Sequence, residues 1–318
     1  MRPLLLALVV AASAASQTSP LDSADRVRLA EAFRQAGAVP DGLGPDGVPF
    51  AVLVVAGERE VLVRHPSPSA DFARAVAYDS LLESAVYVRE RQYPPGLQAT
   101  FPAVGGVPTV VVGTAAGTGL ASTPWVLTVL HERVHQLQMS APGYHAGVAA
   151  LDLDGGDETG MWMLDYPYPY ADPAVAEAFG AFRDALVGSL AAPDLGAVRG
   201  ARARLRAAVA PADDRYLAFQ LWQEGVARYA EVRAAEAAGP PLPAFAALPD
   251  AVPYAVAADT LRARLGRDLA RLDLAADGRL AAYPAGAALA LVLDAARPGW
   301  RRRSLTEPFD LGALLDGR

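Results

Sequence analysis

The sequence predicts an α+β fold, a small N-terminal sheet followed by a mainly helical region. Three features carry this expectation. Short runs of Val, Leu and Phe between residues 50 and 113 are bounded by Gly and Pro, as strands are. Beyond residue 122 the chain is rich in Ala, Leu and Arg, with apolar residues at helical spacing. Strands and helices do not alternate as βαβ units, which argues against a doubly wound dinucleotide-binding sheet.

The elements follow in order. Arg2 precedes an apolar run from Leu4 to Ala12, and Ala12-Ser13-Ala14 offers small residues for cleavage. Residues 1–14 are therefore expected to be a signal peptide, leaving a secreted or periplasmic chain that starts near Ala15. The run is shorter than the about 20 residues of a membrane span. No later segment reads as a span, so no stable membrane insertion is expected. A helix is expected over residues 22–36, where Val27, Leu29, Ala30 and Phe33 recur at turn spacing. Phe50 to Val55 and Val61 to Val63, linked through Gly57, read as a β-hairpin. Residues 69–91 read as a helix with a strand-like end at Val86 to Val88. Pro108 to Gly113 reads as a strand, preceded by Gly-Gly. The glycines from Gly113 to Gly119 read as a loop, because no Lys follows and the spacing is not that of a phosphate-binding loop. Helices are then expected over 123–140, 173–191, 194–210, 213–238, 255–275 and 284–296, punctuated by Pro and Gly. Residues 15–122 thus carry the sheet and residues 123–318 the helices, as parts of one continuous domain.

Composition narrows the chemistry. Of 318 residues 53% are hydrophobic and 20% charged, enough for a sizeable core. The net charge of −7 argues against an electrostatic nucleic-acid binder. There is no Cys, hence no disulfide, thiolate metal site or Cys nucleophile. There is no Lys either, so a lysine Schiff base is excluded.

Only four His occur, and two lie in His131-Glu132-Arg133-Val134-His135. Two His at i and i+4 share one helical face, so both imidazoles can reach a single metal ion. Glu132 between them is placed to take a proton from a water on that ion. Ser122 or Thr123 is expected to cap this helix, with Pro124 in its first turn. Leu127, Leu130, Val134 and Leu137 form its apolar seam. Downstream, Glu224 falls on the stripe of Leu217 and Leu221. A carboxylate in an apolar seam is costly unless a metal or a cation neutralises it. Gly225 is unfavourable within a helix by about 1 kcal/mol relative to Ala, which close approach to another backbone would explain. The alternative for Glu224 is an ordinary i,i+4 surface pair with Arg228.

These two helices together resemble the gluzincin metallopeptidases, the peptidase MA-like group. Those proteins combine HExxH with a Glu ligand on a later helix, in a Glu-Gly-x-Ala-x-Tyr setting. The matching residues are His131-Glu132-Arg133-Val134-His135 and Glu224-Gly225-Val226-Ala227-Arg228-Tyr229. The resemblance implies a zincin-like fold with zinc on His131, His135 and Glu224, and Glu132 as general base. It also implies that Pro108–Gly113 lies where the family's substrate-aligning edge strand runs. Arg133 departs from the uncharged residue common in such motifs. The interval from His135 to Glu224 is also long, and a helical hairpin over 173–210 would fill it.

Other candidates follow from the same chemistry. Tyr229 and Tyr283 are the candidate donors to a developing oxyanion. Glu231, two turns beyond Glu224, could orient a liganding His. His145 misses the register of the zincins with a third His ligand. Asp152 to Glu158 does not match a calcium loop and reads as an acidic turn. Tyr166-Pro167-Tyr168-Pro169-Tyr170 reads as extended, either lining a groove or connecting elements. The leading functional reading is an exported zinc-dependent hydrolase, a metallopeptidase with peptide or protein substrates. The alternatives are a zincin-like binding or scaffolding protein without turnover, and a metal-free helical interaction protein.

Overall fold

Strands dominate the N-terminal side of the computed structural model and helices the rest. It describes residues 19–157, 159–306 and 309–316. The expected signal segment and its cleavage point lie outside the described residues. Helix α1 (Ser23–Arg34) is capped by Asp22, whose carboxylate accepts from the Asp25 N–H. Six strands follow: β1 (Val52–Ala56), β2 (Arg59–Val63), β3 (Ala73–Asp79), β4 (Ser84–Glu90), β5 (Gln98–Val104) and β6 (Val107–Gly113). They form one mixed sheet in the order β3-β4-β2-β1-β6-β5, antiparallel except for β1 beside β6.

Side-chain alternation places a core on each face of the sheet. Val52 and Val54 of β1, Val61 and Val63 of β2, and Val110 and Val112 of β6 enter the large core shared with the helices. Leu53, Val55, Leu62 and Val111 point the other way, into a smaller core with Phe72 and Val104. Burial on both faces is why these strands read as continuous apolar runs.

Two expectations for the sheet are corrected. Residues 69–91 do not contain a helix: β3 and β4 form a hairpin. Val86 and Val88 pair with Val63 and Val61, and that pairing overrides the local helix propensity of Ala73–Ala77. Asp79 secures the turn by accepting from the Leu81 and Leu82 N–H groups and from Arg26. The strand around Pro108–Gly113 is β6, and it is internal, flanked by β1 and β5. The edge strand on this side of the sheet is β5, opposite β3 at the other edge; the sequence does not mark β5, because Pro102 interrupts it. Proline is tolerated at an edge because a ladder N–H is not needed there. Gly105 and Gly106, at φ +56° and +76°, make the β5–β6 turn, a conformation that strongly favours Gly at both positions.

The helical part largely follows expectation: α2 (Ser122–Met139), α3 (Pro173–Ala191), α4 (Leu195–Ala207), α5 (Pro211–Ala237), α6 (Tyr254–Arg271) and α7 (Ala282–Ala296). Gly113–Gly119 differs from the expected loop. It contains a single helical turn, Ala115–Thr118, capped by Thr114. The α3–α4 hairpin occupies the interval between the two motif helices, and α5 packs against α2, α6 and α7. By length and composition the run Leu274–Ala296 could cross a membrane, which the sequence reading did not expect of any later segment. Within the fold 61% of that window is buried, as in a core helix.

The α5–α7 crossing explains Gly225. A Cβ there would lie 2.3 Å from the Gly286 Cα, and one on Gly286 would lie 2.3 Å from the Leu221 carbonyl oxygen. Both obstacles are backbone, so neither can rotate away. Gly225→Ala should therefore destabilise the fold by about 1–3 kcal/mol or more, the overpacking penalty. Ala has the better helix propensity, so propensity alone predicts the opposite sign. A denaturant melt distinguishes the two.

Candidate metal centre

Helix α2 is pinned to the sheet by buried polar side chains. Trp125 Nε1 donates to the Gly113 carbonyl at 2.8 Å, and Gln136 Nε2 donates to the Ala51 and Pro108 carbonyls at 3.1 and 2.7 Å. The expected cap by Ser122 or Thr123 is corrected: both are inside the helix, and Ala121 occupies the N-cap position. Asp250 caps from across the chain, accepting from the Ser122 N–H at 3.0 Å and its hydroxyl at 2.6 Å. Arg133 is not free at the surface. It donates to the Val48 and Pro49 carbonyls and lies over the Phe50 ring, and burial pushes it down to about 10. The charge that departs from the motif thus anchors the segment entering β1.

His131, His135 and Glu224 converge as a buried donor group. The two Nε2 atoms are 3.1 Å apart, and Glu224 Oε2 lies 3.4 Å from His135 Nε2 and 3.8 Å from His131 Nε2. Ligand atoms at about 2.0–2.1 Å from a tetrahedral centre are separated by about 3.3–3.4 Å, so the spacing suits a small metal ion.

The hydrogen bonds point the same way. His131 Nδ1 is 2.6 Å from Glu231 Oε1, a pure acceptor when ionised. His135 Nδ1 is 2.9 Å from Gln138 Oε1, while Gln138 Nε2 donates to the Trp222 and Gln223 carbonyls. Both Nδ1 atoms therefore carry the proton, which turns two Nε2 lone pairs and a carboxylate oxygen toward one point. Only a proton or a cation relieves that convergence. Burial opposes a charged imidazole, but the bonds to Glu224 and Glu231 outweigh it and raise His131 to about 10. His135 is raised and Glu224 lowered through the same mutual bonds, against the effect of burial. Arg228 pairs with Glu231 and Arg279 with Glu224, which leaves the point between the three donor atoms to a proton or a metal ion. A divalent ion fits this donor set.

The surroundings place the remaining candidates. Glu231 orients His131, as its position two turns beyond Glu224 suggested, and is itself held by Arg228 Nη1 at 2.6 Å. The alternative Glu224–Arg228 surface pair does not form. Glu224 Oε1 instead accepts from Arg279 Nη1 at 3.1 Å. Tyr283 is at the site: its ring lies parallel to His131 at 6.2 Å and its hydroxyl is 3.4 Å from Arg279 Nη1. Burial, then the Glu224 charge, raise Tyr283, so it stays a protonated donor. Tyr229 is not brought to the cluster, because five residues rotate it about 140° from Glu224. Its hydroxyl bonds instead to Asp294 and Arg301.

Glu132 is buried beside the donors, with Oε2 3.0 Å from Thr100 Oγ1 on the edge strand β5. Among the described residues no other group of three His, Asp or Glu side chains converges in this way. His145 is exposed on the short helix Tyr144–Ala150. Asp154 and Asp157 accept from nearby backbone N–H groups, as an acidic turn does. Tyr166 and Tyr168 pack on Tyr216 of α5, the connecting role of that segment.

Sequence reasoning missed Thr100, Gln138, Arg279 and Asp250. Thr100, Arg279 and Asp250 meet partners at least 32 residues away, so no local spacing reveals them. Gln138 lies three residues after His135, a spacing that could have indicated it.

Replacing Glu231 by Gln should weaken metal binding about 10–100-fold, the usual effect of losing a carboxylate that orients a liganding His. Glu236→Gln, farther along α5 and paired with Arg233 and Arg262, should leave it unchanged. Titration against a chelating dye checks both. Comparison of this chain with protein-family models, curated proteins and solved structures returns no match.

Proposed function

We propose that this protein is a zinc-dependent hydrolase, a secreted or periplasmic metallopeptidase that cleaves amide bonds of peptides or proteins. One observation carries the reading. Glu132 lies beside the donor group without belonging to it, and Thr100 holds its carboxylate. A purely structural metal site has no use for a buried carboxylate that neither binds the ion nor, as Glu231 does, orients a ligand. Zinc suits two imidazoles and a carboxylate better than calcium or magnesium, which prefer all-oxygen sites.

When bound, zinc supplies Lewis-acid activation of water and of a carbonyl oxygen. Glu132 accepts the proton of the attacking water and passes it to the amine nitrogen as the C–N bond breaks. Tyr283 donates toward the oxygen that gathers negative charge, and Arg279 beside it adds a positive field. Strand β5 is one edge of the sheet and carries Thr100, so its backbone is suited to align an extended substrate next to Glu132.

The test is metal analysis together with digestion of a broad peptide library, with Glu132→Gln as control. Cleavage by the wild type that the variant loses is the expected result. Bound zinc with no cleavage would favour a binding protein instead.

Glu224→Gln should weaken zinc binding strongly, by 100-fold or more, because a neutral amide replaces an anionic ligand. Competition with a chelating dye measures this. Unchanged affinity would remove Glu224 as the third ligand and the gluzincin reading with it.

A further inference from the structure

Beside the metal centre runs a groove between α6 and the start of α7, with a cavity volume of about 560 Å³. That lies within the range of about 300–1,000 Å³ typical of small-ligand sites. Tyr283 and Arg228 form its wall toward the centre. Tyr283 turns a ring face to His131, and Arg228 holds Glu231, which in turn holds His131. Leu261, Leu265, Leu272 and Leu280 line the groove, and Leu280 is 60% exposed. An exposed leucine within a concave apolar lining is an unusual use of surface, and it suits a ligand that covers it.

The rim carries charges of both signs, Arg264 and Arg271 with Asp268 and Asp277. Arg264 and Arg271 lie one above the other on α6 and both border the groove. Of the two carboxylates of the lining only Asp268 is ion-paired among the described residues. Asp268 pairs with Arg264, and Asp277 accepts from the Asp273 N–H. Arg271 has no carboxylate partner among the described residues and is exposed, so its charge is available to a ligand.

We propose that this groove is the substrate-recognition subsite and that it selects an apolar side chain adjacent to a carboxylate. In a peptide this means a leucine-like residue followed by an acidic residue or by the chain terminus. The apolar part covers Leu280 and Leu265, and the carboxylate meets Arg271. The proposal rests on the metallopeptidase reading, which makes a peptide the occupant of a groove that shares its wall with the metal centre.

The test uses the full, zinc-loaded chain carrying Glu132→Gln, so that binding is measured without turnover. Fluorescein-labelled Gly-Gly-Leu-Asp-Gly-Gly should bind at least tenfold more tightly than its counterpart with Lys in place of Asp. Arg271→Glu, at an exposed position, should abolish or reverse that preference. Leu280→Asp, also exposed, should weaken both peptides. Equal binding of the two peptides, or a preference that survives Arg271→Glu, would overturn the proposal. Failure of the peptidase reading shows separately, as absence of zinc and of wild-type cleavage. Wild-type cleavage of the library with no bias toward acidic neighbours would leave the peptidase standing and remove the groove as its selector.

Discussion

Protein purified without a chelator should carry about one zinc ion per chain, and stripping the metal should lower the melting temperature by about 5–10 °C. The size follows from linkage. A ligand present at a thousand times its dissociation constant stabilises the fold by about 4 kcal/mol. In a chain of this size 1 kcal/mol moves the midpoint by about 2 °C. The sign follows from the cluster. The three donor atoms lie within 4.8 Å of one another only when α2 and α5 are packed, so the ion binds the folded chain in preference to the unfolded one. His131→Ala should abolish tight binding, because it removes a ligand and leaves Glu231 without the imidazole that it holds. Thermal melts with and without chelator, with elemental analysis of both forms, provide the measurement. A chain that carries no zinc and takes none up would end the metal reading.

Glu132→Gln should retain zinc and melting temperature but lose about 10²–10⁴ of hydrolytic rate, the usual contribution of a general base. The structure explains why the substitution is selective. The Thr100 hydroxyl lies 2.8 Å from the Glu132 carbonyl and 3.0 Å from its Oε2, and a Gln side-chain oxygen at that place still accepts from it. Gln is nearly isosteric, and Glu132 is outside the donor group, so metal binding should be untouched. What disappears is the ability to take a proton. Activity near that of the wild type would remove Glu132 as the base.

Some of this site is legible because its spacing is local. The i,i+4 interval of His131 and His135 needs only a helix, and Leu217 and Leu221 mark the apolar stripe that makes Glu224 conspicuous. Glu231 belongs to the same class, two turns from Glu224 on one face. Gly225 signals close contact by its poor propensity, yet it does not say that the contact is Gly286. Arg279, Thr100 and the Asp250 cap leave no such signal, since each meets its partner through the packing of separate elements.

The sheet divides in the same way. Apolar runs at β1, β2 and β6 are visible because both faces are buried. The β3–β4 hairpin and β5 are hidden by an Ala-rich composition and by Pro102, and pairing with neighbouring strands decides them.

By itself, then, the sequence determined the α+β layout, the two motif helices and the three donor residues, because helical periodicity is a property of the local chain. Tertiary structure decided which strands are the edges, which tyrosine reaches the cluster, and which arginines balance its carboxylates. Those outcomes depend on distances between segments remote in sequence, and such distances are set only when the helices pack on the sheet.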